Sequence, residues 1–241
     1  MSQEVDLTCY VPCYNEEENV ANTLNKIKAV MSTQKLSYEA LVFDDCSKDR
    51  TGDVVRDFMA KNPDMNIRLI QNKFNRGMGY NYIEGAYLGR GKYYMLVNGD
   101  NAETAFCMSK IVSQIGKADI IIPYYDNEDG RSWFRSNLSR IYTKLVNLLS
   151  GHNIRYYNGP TVHLRKNSMR WHPQSCGHGY QAELLSAVLE TGASYLEVQV
   201  PNDEQKGSIT SALRLVNMMS LTHSLSQIFL RRVRRTIWPV S

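Results

Sequence analysis

Three apolar segments of this chain each end abruptly in a polar turn that carries carboxylates. Asp100 follows the apolar run 93–97, and the turns 12–16 and 44–49 follow two earlier apolar runs. In open α/β folds, ligands bind at the edge where the carboxyl ends of the strands meet. A hard carboxylate at that edge is suited to a divalent cation that bridges it to phosphate oxygens. The pattern therefore predicts a site for a phosphate-containing ligand.

A fourth polar segment, residues 75–79, has a cation and two glycines at the start of a predicted helix. The position where a dinucleotide-binding fingerprint needs its third glycine holds Tyr82, so a Rossmann NAD site is not predicted. A flexible turn with a cation at a helix start can still accept a phosphate or a ribose. A simple turn is the alternative interpretation.

Strands and helices alternate through the first 125 residues. Strands are predicted from the apolar runs. Helices are predicted between these runs, where apolar residues recur every three to four positions, and Asn15 is expected to cap the first helix. This alternation predicts an α/β fold with a mostly parallel sheet flanked by helices. The predicted strands cover residues 7–12, 38–43, 67–70, 93–97 and 119–123.

The pattern becomes less regular after residue 125. We expect helices at 133–151 and 181–190, strands at 161–164 and 195–200, and a helical segment at 209–235. The sequence predicts one domain over residues 1–208, with a nucleotide half of about 1–125 and an acceptor half of about 126–208. A basic helical extension is predicted over residues 209–241.

Composition excludes several protein classes. The chain has 241 residues, of which 43% are hydrophobic and 22% charged, as in ordinary globular proteins. Five cysteines without a CxxC pair argue against a disulfide framework and a zinc site, and they fit a reducing cytosol. No signal peptide or membrane-spanning run is predicted. We expect a cytoplasmic protein that is peripheral on the cytoplasmic face of a membrane.

In their order and spacing, these motifs resemble glycosyltransferase family 2, whose members use nucleotide sugars and have the Rossmann-like GT-A fold. The resemblance spans about residues 5–125 and rests on the segments 11–16, 44–51, 75–79 and 98–100. A looser resemblance is to the dolichol- or polyprenyl-phosphate sugar transferase branch. It rests on the segments 157–161, 177–185 and 205–208.

The resemblance implies a role for each motif. The nucleoside would bind to Pro12, Tyr14, Asn15, Glu16, Asp45 and Ser47. The ribose or diphosphate would lie near Arg76, Gly77 and Gly99. His178, which lies between two glycines, is a further candidate contact of the sugar or diphosphate, with a solvated loop histidine as the alternative. Asp100 would be the second acid of the family's Asp-x-Asp motif and would bind Mg²⁺ or Mn²⁺.

One position departs from the family pattern, because Asn98 stands where that motif has its first aspartate. A neutral amide is a poorer ligand for a hard cation than a carboxylate. Three consequences stay open: a weaker metal site, a second metal ligand at Glu103, or contact between Asn98 and the sugar. An acid that stabilises a helix N-terminus is the alternative role for Glu103.

A family 2 enzyme would invert the anomeric centre in one in-line displacement, while charge grows on the departing diphosphate. A hydroxyl acceptor needs a general base, for which Glu183 is the candidate. A phosphate acceptor needs cations instead, and the candidates are Arg135, Arg165 and Lys206, with Arg131 in the same region. We expect polyprenyl or dolichyl phosphate as the acceptor. The alternatives are a glycan hydroxyl, or a degenerate protein that only binds nucleotide sugar.

The C-terminal segment mixes apolar and basic residues. Leu230, Val233 and Ile237 would share one helical face, and four arginines lie among them at 231, 232, 234 and 235. Such a segment can lie on an anionic membrane surface. The alternatives are a helix packed on the domain and a contact between subunits of an oligomer. No nucleic-acid partner is predicted, because the basic residues are confined to one end of the chain.

Overall fold

The computed structural model describes residues 5–125, 133–171, 177, 179–201 and 215–238, with the backbone alone for 133–135 and 215–218. The first part of the chain forms β1 (Val5–Cys13), α1 (Val20–Gln34), β2 (Tyr38–Asp44), α2 (Thr51–Lys61), β3 (Ile67–Gln71), α3 (Met78–Leu88), β4 (Gly91–Leu96), α4 (Ala105–Val112) and β5 (Ile120–Tyr125). The second part forms α5 (Trp133–Ser150), β6 (Val162–Leu164), α6 (Arg165–Met169), α7 (Tyr180–Leu189), β7 (Tyr195–Val200) and α8 (Leu215–Ile237).

The strands form one seven-stranded sheet in the order β3-β2-β1-β4-β6-β5-β7. Strand β1 pairs in parallel with both β2 and β4, and β6 is antiparallel to its two neighbours, β4 and β5. The predicted α/β fold with a mostly parallel sheet and flanking helices is confirmed. Because six of the seven strands run in one direction, their carboxyl ends share one edge, called here the carboxyl edge.

Both faces of the sheet are buried, which explains the apolar runs in its strands. Leu7, Cys9 and Val11 pack on one face together with side chains from α1, α2 and α4. Tyr10 points to the other face, where α3, α7 and α8 contribute apolar side chains. Successive residues of a strand point to opposite faces, so one run of sequence fills both cores.

The first helix begins later than the sequence predicts. Helix α1 starts at Val20 with Asn19 in the capping position, so the predicted Asn15 cap is wrong. Asn15 has a left-handed backbone with φ 58°, and its side-chain oxygen accepts a hydrogen bond from the Lys48 amide at 2.8 Å. The side chain is therefore used to join two turns instead of ending a helix.

Among the described residues, no helix combines the length and the hydropathy that crossing a bilayer requires. The predicted division between domain and extension at residue 208 lies outside the described residues and stays a prediction.

The amino edge of the sheet, opposite the carboxyl edge, is held together by a buried carboxylate. Glu39 is fully buried and accepts a hydrogen bond from the Thr8 hydroxyl at 2.8 Å. Arg68 and Arg90 each place a guanidinium nitrogen 3.1 Å from its second oxygen. Burial acts to raise the Glu39 pKa, but these hydrogen bonds and charges outweigh it, and the pKa lies below its ordinary value. The carboxylate is therefore ionised, and both of its oxygens bind partners at this edge.

We expect Glu39→Gln to lower the free energy of unfolding by about 2 kcal/mol, because two arginines lose their charge partner. The lowered pKa stabilises the fold above the ordinary pKa of 4.5, and this contribution is lost as the pH falls through the folded-state value. Denaturant unfolding at several pH values measures the difference from wild type, which should vanish in acid. Asp64→Asn, which removes an exposed ion pair with Lys28, is the matched control and should cost under about 0.5 kcal/mol. A Glu39 variant as stable as this control would contradict the account.

Candidate functional site

Four turns meet at the carboxyl edge, and they are named here in chain order. The first turn (14–19) follows β1, the second (45–50) follows β2, the third (72–77) follows β3 and the fourth (97–104) follows β4. The Asp45 amide donates to the Cys13 carbonyl at 2.9 Å, and the Gly99 amide to the Pro12 carbonyl at 3.3 Å. The end of β1 is thus joined directly to the second and fourth turns.

Each of the four turns contains one residue with a left-handed backbone. The φ angles are 58° at Asn15, 66° at Cys46, 82° at Gly77 and 60° at Asn101. For a residue other than glycine this conformation costs on the order of 1 kcal/mol. Strained backbone of this kind clusters at functional sites, where the surrounding structure holds it in place. The carboxyl edge therefore has the backbone signature of a binding site.

The first and second turns are locked together by side-chain to backbone hydrogen bonds. The Asn15 amide donates to the Ser47 hydroxyl at 3.0 Å, and the Glu16 amide donates to the Thr51 hydroxyl at 2.8 Å. Tyr14 keeps 46% of its surface exposed. The predicted nucleoside residues of these two turns are therefore neighbours in the structure, with an open aromatic ring beside them.

Asp45 joins the second turn to the third. Its carboxylate accepts hydrogen bonds from the Asn72 side chain at 2.8 Å and from the backbone amides of Arg76 and Gly77, both at 2.9 Å. A carboxylate has about four acceptor positions. Three donors from the described residues therefore leave about one position for a ligand.

The Arg76 side chain is turned back onto α3. Its guanidinium pairs with Glu84 at 2.5 Å and lies over the Tyr80 ring, 3.7 Å from the ring centroid. The structure thus brings Arg76 and Gly77 to the carboxyl edge, as the resemblance implies. Their backbone amides donate hydrogen bonds to Asp45, and the Arg76 guanidinium forms an ion pair with Glu84 of α3.

Asp100 is exposed at the tip of the fourth turn. Its carboxylate accepts a hydrogen bond from the Ala102 amide at 3.1 Å. The preceding residue must be glycine, because a Cβ at Gly99 would lie only 2.6 Å from both the Cys13 sulfur and the Pro12 carbonyl oxygen. This close approach of β1 and β4 fixes where the Asp100 carboxylate emerges.

Asn98 and Glu103 are bonded to each other in the same turn. The Asn98 side-chain amide donates to the Glu103 carboxylate at 2.5 Å. Burial raises the pKa of Glu103 to about 7, although the bond from Asn98 opposes this shift. Asn98 therefore supplies a hydrogen-bond donor where the family's motif has its first aspartate, and Glu103 accepts that hydrogen bond.

No three His, Cys, Asp or Glu side chains among the described residues form a metal cluster on their own. Mg²⁺ needs no such cluster, because it commonly binds through one or two carboxylates together with substrate phosphates. The exposed carboxylate of Asp100 fits that type of site. Glu103 is half-buried and already bonded to Asn98, so it stays a second candidate ligand.

Two residues of α1 hold the fourth turn, and the sequence analysis missed both. The Thr23 hydroxyl donates to the Gly99 carbonyl at 3.1 Å. The Lys26 ammonium donates to the carbonyls of Asn101, at 3.2 Å, and Glu103. The signal in the sequence was weak: a lysine next to the apolar stripe of an amphipathic helix usually faces solvent.

The predicted acceptor residues do not assemble into one site among the described residues. Glu183 is fully buried, accepts from the Trp171 indole at 3.3 Å and lies 3.8 Å from the Arg231 guanidinium. This carboxylate links α7 to α8 and is not exposed at the carboxyl edge. Arg135 has only its backbone described, in α5, and Arg131, His178 and Lys206 lie outside the described residues.

Arg165 lies at the amino edge, which contradicts its predicted role beside the acceptor. Its guanidinium donates to the carbonyls of Gly91 at 2.6 Å and Ala86 at 3.1 Å. The reason is the direction of β6, which is antiparallel to β4 and so delivers its next residue to the start of β4. Arg165 closes the end of α3 and the beginning of β4.

The model of Glycosyl transferase family 2 matches residues 8–171, which is more than half of the chain. The chain belongs to this family. The matched region contains all four turns of the carboxyl edge, including Asp100.

Two curated relatives act on lipid phosphates according to their names. A dolichyl-phosphate beta-glucosyltransferase of Dictyostelium discoideum is 37% identical over 101 residues, which cover 40% of this chain and 31% of that protein. An undecaprenyl-phosphate 4-deoxy-4-formamido-L-arabinose transferase of Edwardsiella ictaluri is 19% identical over 219 residues, or 87% of this chain and 64% of that protein. The chain spans less than two thirds of either relative. These relatives support the predicted resemblance to the dolichol- and polyprenyl-phosphate branch.

The fold is shared with solved sugar transferases. Glucosyl-3-phosphoglycerate synthase from Mycobacterium tuberculosis, solved with Mn²⁺, uridine diphosphate and phosphoglyceric acid, superimposes with a TM-score of 0.71 and 14% identity. The superposition covers 93% of this chain and 78% of that chain. At this identity the likeness shows the fold alone, and the predicted GT-A fold is confirmed.

We expect Lys26→Met to loosen the fourth turn, because the carbonyls of Asn101 and Glu103 lose their charged donor. Amide hydrogen exchange over residues 100–103 should become about fivefold faster, and the free energy of unfolding should fall by about 1 kcal/mol. Lys28→Met is the matched control: it lies two residues along the same helix, paired with Asp64. Equal exchange in both variants would show that Lys26 does not hold the turn.

Glu103 should titrate near pH 7 in the metal-free protein, as its raised pKa indicates. Because the folded state holds this proton more tightly than the unfolded state, the stabilisation is complete below pH 4.5 and is lost as the pH rises through about 7. Unfolding free energies measured with EDTA across this range should decline in wild type. The decline attributable to this group should be absent in Glu103→Gln. The same slope in both proteins would contradict the shift.

Proposed function

We propose that this member of glycosyl transferase family 2 transfers a sugar from a nucleoside-diphosphate sugar to a lipid-linked phosphate, polyprenyl or dolichyl phosphate. One observation carries the proposal: four strand-end turns, each with one residue of positive φ, meet at the carboxyl edge around an exposed carboxylate. This arrangement offers a nucleoside, a diphosphate and a cation adjacent positions on one rigid sheet.

The nucleoside is assigned to the first two turns. The remaining acceptor position of Asp45 would receive a donor from the base or the ribose. Tyr14, with its exposed ring, would contact the base or the ribose from the side. Hydrogen bonds of Asn15 with Ser47 and Lys48 keep the two turns at a fixed separation, so little ordering is left to occur on binding.

The diphosphate is assigned to the space between the third and fourth turns. Asp100 would hold Mg²⁺ or Mn²⁺ together with the diphosphate oxygens, and the cation would stabilise charge on the leaving group. Lys26 adds a positive charge at the fourth turn that interacts electrostatically with Glu103 and Asp100. The protein's own task in the displacement is to orient the donor, because in-line transfer depends on the alignment of the reacting atoms.

A phosphate acceptor is favoured over a hydroxyl acceptor by the position of Glu183. A hydroxyl needs a general base within hydrogen-bond reach, whereas a phosphate arrives as an anion. The Glu183 carboxylate is fully buried and engaged by Trp171 and Arg231, so it is poorly placed to receive a proton. The names of the dolichyl- and undecaprenyl-phosphate relatives point the same way.

The acceptor phosphate would be held by cations of the acceptor half. Arg135 and Lys206 keep this role as proposals, and Arg165 loses it because it lies at the opposite edge. His178 keeps its proposed contact with the sugar or the diphosphate. Since the acceptor is embedded in lipid, we expect the protein to work at a membrane surface.

A transfer assay with a long-chain polyprenyl phosphate and a panel of nucleotide sugars tests the proposal. We expect one donor to give a glycolipid of inverted anomeric configuration. Asp100→Asn should lower kcat about 100-fold or more, as expected for loss of one group that stabilises the leaving charge. Asp64→Asn, which removes an exposed carboxylate between α2 and β3, is the control and should keep full activity.

Glu183→Gln separates the two acceptor classes. With a phosphate acceptor we expect kcat to change less than about threefold, and a melting temperature checks that the buried contact with Arg231 is tolerated. A loss of 100-fold or more in a variant that stays folded would assign a general base and a hydroxyl acceptor. Binding of nucleotide sugar without transfer to any acceptor would identify a degenerate binding protein.

A further inference from the structure

The outer side of α5 carries a stripe of exposed apolar side chains. Ile141, Leu145 and Leu148 are 63%, 38% and 70% exposed, and their spacing of four and three residues puts them on one face of the helix. A soluble monomer seldom leaves large apolar residues contiguous without a binding role. The stripe therefore needs a partner surface.

Helix α8 continues this stripe. Phe229 and Ile237 are 49% and 57% exposed, and together with Leu148, Leu149 and Val233 they line one groove between the two helices. The Arg232 guanidinium crosses the groove and donates to the Leu148 carbonyl at 2.5 Å. The exposed faces of α5 and α8 thus form one surface, called here the α5–α8 face.

The charge of the two helices has a single sign. They contain no Asp or Glu and seven cations, Arg135, Arg140, Lys144, Arg231, Arg232, Arg234 and Arg235. The whole chain has a formal net charge of +4, so the rest of it is −3. Arg231 is directed inward to Glu183, whereas Arg234 and Arg235 are exposed. Cations are therefore concentrated on the two helices that carry the apolar side chains.

We propose that the α5–α8 face is a lipid-binding surface that docks on an anionic bilayer. The apolar side chains of both helices would enter the boundary between headgroups and acyl chains, and the flanking arginines would bind headgroup phosphates. The inference rests on the proposed function in one respect, since a lipid-linked acceptor would be met at this surface. Helix α5 is an equal part of it, which the sequence of the C-terminal segment alone does not predict.

Electrostatics favour lipid over a second copy of the chain. In a two-fold symmetric contact the same patch meets itself, so the cations of one α5–α8 face would approach those of the other. Neither helix offers an acid to compensate them. Like charges brought together in an interface oppose association. An anionic membrane supplies the complementary charge together with an apolar layer.

The strands that precede the two helices of the face in the chain end at the carboxyl edge. Strands β5 and β7 run parallel to β4, so Tyr125 and Val200 end at the edge where Asp100 lies. Helix α5 follows β5 in the chain, and α8 follows β7. The ion pair of Arg231 with the buried Glu183 ties α8 to the domain core, so the face is held in a fixed relation to α7.

Co-sedimentation with vesicles that contain no polyprenyl phosphate tests the proposal. We expect wild type to bind vesicles of 30% phosphatidylglycerol in phosphatidylcholine, and to bind pure phosphatidylcholine at least tenfold more weakly. Arg234→Gln with Arg235→Gln should lower the partition coefficient about thirtyfold. Ile141→Gln with Leu148→Gln, which changes α5 alone, should lower it about tenfold or more.

The control variant combines Phe106→Gln, Lys110→Gln and Lys117→Gln, which remove an exposed aromatic ring and two exposed cations on the other side of the sheet. It should bind like wild type. No binding by wild type, or equal losses in the control, would overturn the proposal. So would a dimer in sedimentation equilibrium that the α5 variant dissociates, because the face would then be a contact between copies.

A second assay separates this proposal from the proposed function. Transfer to a short, water-soluble prenyl phosphate needs no membrane, so the vesicle-binding variants should retain wild-type rates with it. Vesicle binding without transfer to any prenyl phosphate would leave the lipid-binding face standing and refute the acceptor. Transfer to a prenyl phosphate without vesicle binding would support the proposed function and refute the lipid-binding face.

Discussion

The structure depends on the parallel pairing of β1 with both β2 and β4. That pairing brings three carboxyl ends to one edge, and two backbone hydrogen bonds, from Asp45 to Cys13 and from Gly99 to Pro12, extend it into the turns. The first, second and fourth turns reach their positions through this contact, and the third turn follows β3, which pairs with β2. Gly99 shows how tight it is, because even a Cβ would collide with β1.

The two edges of the sheet use charge in different ways. At the amino edge, Glu39 is buried and paired with two arginines, and the Arg165 guanidinium donates hydrogen bonds to backbone carbonyls. At the carboxyl edge, Asp100 is exposed and Asp45 keeps about one acceptor position. Paired charges hold a fold together, whereas charges left available in strained turns suit ligand binding. The division explains how one sheet is both rigid and open to a substrate.

The sequence could predict the carboxyl edge because a buried parallel strand is a plain apolar run that stops at polar residues. It could not predict which edge Arg165 reaches. That depended on the direction of β6, a three-residue strand whose pairing with β4 is long-range. Had β6 been parallel, residue 165 would have followed it to the carboxyl edge. Likewise the sequence makes Glu183 a candidate general base, whereas its burial depends on packing against α8, which is distant in the chain.

The central claim is that the four turns bind a nucleoside diphosphate through a cation on Asp100. Calorimetric titration of the purified protein against UDP, GDP, CDP and dTDP, each with Mn²⁺ and with EDTA, tests it most directly. The account predicts that one diphosphate binds tightly with Mn²⁺, weakly with EDTA, and weakly to Asp100→Asn under both conditions. Binding of none of the four in either condition would contradict it.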